Sequence, residues 1–60
     1  MKVSDLGDGY KLVTWKAYSG RFVVKVEPPA GRPMATTVEK ICEVPACAAE
    51  IKRQLMQEAA

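Results

Sequence analysis

The stretch YKLVTWKAYSGRFVVKVE, residues 10–27, decides how this chain folds. Two runs rich in β-branched and aromatic residues, Tyr10 to Tyr18 and Arg21 to Glu27, flank Ser19 and Gly20, the composition of two strands joined by a tight turn. A two-residue loop at Ser19 and Gly20 would pair Ala17 with Phe22, Trp15 with Val24 and Val13 with Val26. One face then reads Val13, Trp15, Ala17, Phe22, Val24 and Val26, apolar throughout. Strand side chains alternate with period two, so a slip of one residue would exchange the faces. The opposite face carries Leu12, Thr14 and Glu27 together with Tyr10, Lys16, Tyr18, Arg21, Val23 and Lys25, a mixture of aromatic, aliphatic and basic groups.

Working outward, Lys2 to Leu6 offers a short extra strand that would join through an Asp8-Gly9 turn and add Leu6 to the buried face. Downstream, PPAGRP at residues 28–33 is a loop, and MATTVEKICEV at residues 34–44 can be read two ways. Its run of Thr and Val favours a strand, and a two-stranded hairpin alone is marginal in water. As a helix it would place Val38, Ile41 and Cys42 on one side, with Thr36 and Glu39 in capping-box spacing. From Pro45 onward the pattern is a helix: proline suits its first position, and Cys47, Ile51 and Leu55 form a stripe with Ala48 and Ala59 beside it. The expected architecture is α+β, a three-stranded antiparallel sheet in the order β-β-β-α, packed by one C-terminal helix and open to a short extra N-terminal strand. The alternative is a hairpin followed by two short helices.

Sixty residues with 48% hydrophobic and 27% charged side chains form one small domain, which buries about 60% of its unfolded surface. Nine basic against seven acidic residues give a net charge of +2, short of the dense basic stripe that marks a nucleic-acid binder unaided. No apolar run reaches the length of a secretion signal or a bilayer span, so the expectation is a cytoplasmic chain with no membrane association. The chain has no histidine, which removes the imidazole base and the His-activated nucleophile. It contains no phosphate-cradling glycine loop, and its carboxylates are scattered over turns and wet faces. An enzyme, a metal site and a cofactor are therefore not expected.

Cys42 and Cys47 flank Pro45. A zinc site built from them would need two chains, and a redox pair would draw on a Cys47 thiol acidified near a helix N-terminus. Cys47 lies on the stripe of Ile51 and Leu55, and the two cysteines read instead as small core residues.

The face bearing Tyr10, Lys16, Tyr18, Arg21, Val23 and Lys25 is the candidate partner-binding surface, suited to a host protein or nucleoprotein complex. Nucleic acid would use the same rings and cations. The segment TTVEKICEVPACAAEIKRQL, residues 36–55, resembles the helix-turn-helix of transcription regulators, although Pro45, Ala46 and Cys47 stand where those families have an apolar-Gly-apolar turn. The resemblance implies that Lys52, Arg53, Gln54 and Gln57 would face a DNA groove. An initiator methionine, one small core and no catalytic set also resemble, in size and layout, the accessory proteins with which phages disable host machinery, anti-CRISPR proteins among them. That likeness implies a non-enzymatic inhibitor or adaptor, monomeric or homodimeric.

Overall fold

The computed structural model describes residues 1–59, except the side chain of Ala59. Four antiparallel strands, β1 (Lys2–Gly7), β2 (Tyr10–Lys16), β3 (Phe22–Glu27) and β4 (Met34–Val38), lie side by side in sequence order. A single 3-10 turn, Ile41–Glu43, leads into α1 (Val44–Ala59), which packs on one face of the sheet. The α+β class expected from the sequence is present, with the N-terminal strand formed and four strands in place of three. Among the described residues, no helix is long and apolar enough to cross a membrane.

Turn chemistry explains the first hairpin. Asp8 and Gly9 both have positive φ, 56° and 82°, the signature of a type I′ turn whose twist matches its flanking strands. Gly9 has a second constraint, because a Cβ there would sit 3.0 Å from the Pro29 side chain. The Gly7 N–H donates to Asp5 Oδ1 at 2.8 Å, where the β1–β2 register shifts between Asp5 and Gly7.

The second hairpin overturns the expected register. Lys16 pairs with Phe22, Thr14 with Val24 and Leu12 with Val26, a slip of one residue from the expected pairs. The cause is the loop, which holds three residues instead of two. The Ala17 N–H donates to the Arg21 carbonyl at 2.8 Å, the Gly20 N–H donates to the Ala17 carbonyl at 3.0 Å, and Gly20 has φ 87°. That is a turn over Tyr18 and Ser19 closed by a left-handed glycine, the usual three-residue hairpin loop. The slip inverts β2 while leaving β3 as expected. Tyr10, Leu12, Val24 and Val26 are buried beneath the helix, and Val13, Trp15 and Val23 fall on the face the helix leaves bare.

The helix buries Ala48, Ile51 and Leu55 against these residues, with Val44 and Cys47 partly buried beside them. This is the expected stripe, except that Ala59's side chain lies outside the described residues. Residues 34–38 pair with β3 as an edge strand, so Thr36 caps nothing. The backbone N–H of Lys40 instead donates to Glu43 Oε2 at 3.1 Å, holding the start of the 3-10 turn. With a strand at 34–38 there is no first helix, and the helix-turn-helix geometry is absent.

Candidate binding cleft

One helix cannot cover this sheet. Four strands at about 4.8 Å spacing put roughly 14 Å between the outer two, whereas a helix with its side chains is about 10 Å across. Helix α1 lies mainly over β3 and β4. Between α1 and the β1–β2 half runs an open cleft of about 700 Å³, with Ser4, Leu12 and Thr14 in its floor and Val44, Ala48 and Ala49 along its wall. Phe22 closes the floor toward β3, and Ile41, 68% exposed, stands at the rim.

The charges around this cleft are all of one sign. Lys2, Lys16 and Lys52 line it, and no carboxylate does among the described residues. Lys52 is already occupied: its Nζ donates to the Leu6 carbonyl at 2.7 Å, sits 3.4 Å from Asp8 Oδ2 and lies 5.7 Å from the centroid of the Tyr10 ring. It ties α1 to the β1–β2 turn and shuts that end of the cleft. Lys2 and Lys16 stand at the other end, on strand positions adjoining Thr14. Lys16 leans over Phe22 with Nζ 6.0 Å from the ring centroid, and neither lysine has a carboxylate partner among the described residues.

The candidate partner face read from the sequence does not assemble. Tyr10, at 6% exposure, belongs to the core. Lys16 lies on the helix side of the sheet, at the cleft. Val23 and Lys25 lie on the opposite face, where Lys25 pairs with Glu27 at 3.4 Å. Tyr18 is fully exposed in the β2–β3 loop, and Arg21 beside it pairs with Glu39 at 3.7 Å. The alternative set is divided as well, since Lys52 is tied down and Arg53 pairs with Glu50 at 2.6 Å, which leaves only Gln54 and Gln57 as free exposed side chains.

No family model, curated protein or solved structure matches the chain. The site therefore has to be judged on its own chemistry. Ser4, Thr14 and Ala49 were missed in the sequence because Thr14 followed β2 to the wrong face and nothing singled out a serine on an edge strand. One signal was available: Ile41, Pro45, Ala49 and Met56 recur at helical spacing, forming a second small-to-apolar stripe next to the buried one.

On the bare sheet face, Val3 is 62% exposed, and Val13, Trp15 and Val23 are half-buried. Asp5, Lys11, Lys25 and Glu27 share that face. Their charges cancel, which gives a phosphate backbone nothing to follow.

The two cysteines part company. Cys47 packs beside the core, while Cys42 is exposed, against the expectation that both fill space. Burial first, then the Glu43 and Glu50 carboxylates, push the Cys47 thiol above its ordinary pKa, the reverse of an acidified helix-N-terminal thiol. Among the described residues no cluster of three or more Cys, Asp or Glu could hold a metal ion. At pH 8, alkylation of the native protein by iodoacetamide followed by mass spectrometry should modify Cys42 at least about tenfold faster than Cys47. Equal rates would contradict the burial of Cys47. Because the folded state favours the protonated thiol, its contribution to stability is complete below the unfolded pKa and is lost as pH rises through the folded one.

Proposed function

We propose that the chain is a non-enzymatic adaptor or inhibitor that docks on a larger protein or nucleoprotein complex through the cleft between α1 and β1–β2. The observation that carries this reading is the half-covered sheet, whose open half presents apolar and hydroxyl groups ringed by lysines. A monomeric protein rarely leaves a contiguous apolar surface of this kind without a use for it. The lining supports binding more than catalysis, because among the described residues it has no carboxylate and the chain has no imidazole to act as a base. Tyr18 and Arg21, on the nearby β2–β3 loop, would serve as peripheral contacts. A phage inhibitor of the anti-CRISPR format is one instance of such a protein.

The test compares proteins retained from a host lysate by the native chain and by Ala49→Trp, which fills the cleft from an exposed helix position, with Val23→Thr on the opposite face as control. Loss of the same protein band with Ala49→Trp alone is the expected result. Retention that survives Ala49→Trp sinks the cleft reading. Retention that vanishes on nuclease treatment and falls steeply with salt would make the partner nucleic acid.

A further inference from the structure

We propose that the occupant of the cleft is an acidic amphipathic α-helix of the partner, laid beside α1 over β1 and β2; this rests on the docking role above and adds the chemistry of the ligand. The dimensions call for a helix. Helices pack 8–10 Å apart, so a second one at that distance from α1 would fall over the uncovered strands and complete a two-layer α/β arrangement. The wall it would meet suits close approach: Pro45 and Ala49 are small, Ala49 shares its side of α1 with Lys52 and Met56, and Ile41 extends the same line. The floor of Ser4, Leu12 and Thr14 takes the apolar edge of the incoming helix, leaving its flanks to the rim.

Charge supplies the rest of the specification. Among the described residues Lys2 and Lys16 are unpaired at the rim and no carboxylate opposes them, so a basic helix is repelled and an acidic one attracted. The two lysines sit at the end of the cleft where α1 begins, since Phe22 pairs with both Lys16 and Val38. A partner helix antiparallel to α1 would therefore place its C-terminal end, the negative pole of its dipole, beside Lys2 and Lys16.

The experiment uses fluorescence anisotropy with three labelled synthetic peptides of about 16 residues, long enough for roughly 24 Å of helix. The first has leucines on one face flanked by glutamates, the second has lysines in place of the glutamates, and the third repeats the first with two central prolines. The acidic peptide should bind, the other two should not, and the exposed-site double variant Lys2→Glu, Lys16→Glu should weaken binding by about tenfold or more. Circular dichroism checks that this variant folds. Absence of binding by the acidic peptide up to about 1 mM, or equal binding by the proline peptide, overturns the proposal. So does displacement of the peptide by dodecanoate at lower concentration, which would make the ligand a lipid. Self-association of the chain abolished by Ala49→Trp would overturn it too, by making the occupant a second copy. A lysate protein held through the cleft by a strand or loop would refute the helix while leaving the docking role intact.

Discussion

Replacing Ile51 by alanine should remove a large share of the chain's folding stability, whereas Ile51→Val should melt only a few degrees below the native protein. Ile51 is 5% exposed and belongs to one cluster with Val24 and Val26, both fully buried. Removing its branched side chain loses the transfer free energy of the deleted carbons and leaves a cavity, together about 2–5 kcal/mol. The comparison that matters is with the whole: at 0.05–0.15 kcal/mol per residue, a chain of 60 residues has only about 3–9 kcal/mol of stability. With one helix over a sheet there is no second layer to collapse into the void. Urea titration followed by Trp15 fluorescence, with circular dichroism as a second probe, reads the effect as a fallen midpoint at unchanged slope. A loss under about 1 kcal/mol for Ile51→Ala would mean that the helix is not seated as described.

The same small core shows why the elements were legible and the faces were not. Three features stood out in the residues themselves: the Asp8-Gly9 turn, the strand-forming runs on either side of Gly20, and the Ala48, Ile51, Leu55 stripe after Pro45. Each depends on local chemistry. The face of β2 does not, because both of its sides are partly apolar: Tyr10 and Leu12 on one, Val13 and Trp15 on the other. Hydrophobic alternation had two solutions there, and the choice fell to the length of one loop. Ser-Gly is a poor two-residue turn, since type I′ favours Asn or Asp first and type II′ places glycine first. Starting the loop at Tyr18 puts the glycine at its third position, where a left-handed residue is required. That one residue carried Trp15 out of the core and Tyr10 into it, and it dispersed the expected partner face.

The cleft follows from the same arithmetic, and so does its invisibility in the sequence. A short chain forming four strands has residues left for one helix, and the helix goes where the deepest apolar surface is, over Val24 and Val26. Besides the buried Tyr10, the β1–β2 half offers Leu6, Leu12 and the hydroxyls of Ser4 and Thr14, too little to draw more of this chain over it. A partner's helix could supply what the chain lacks. Gln54 and Gln57, singled out by the helix-turn-helix resemblance, remain exposed on α1.

Lys52→Met should cost about 1–2 kcal/mol of folding stability, more than any exposed lysine in the chain. An ordinary surface ion pair contributes between zero and 1 kcal/mol, and the Lys52–Asp8 pair, with Asp8 68% exposed, belongs to that class. The larger contributions come from the bond to the Leu6 carbonyl at 2.7 Å, a charge-assisted hydrogen bond at a partly buried site, and from the ammonium near the Tyr10 ring. Methionine keeps most of the aliphatic stem against the cleft, so the loss isolates the ammonium from the packing. Asp8→Asn is the discriminating control: it should change stability by less than about 0.5 kcal/mol, and it should make Lys52→Met no milder. Were the two substitutions equal in effect, or the Lys52→Met loss abolished by raised salt, the pairing with Asp8 would be the whole contact and the strut between α1 and β1 would not exist. With the strut gone, α1 is released from the β1–β2 turn at the closed end of the cleft. Affinity for a docked segment should then fall along with stability, whereas reversing Lys2 and Lys16 at the open end lowers affinity alone.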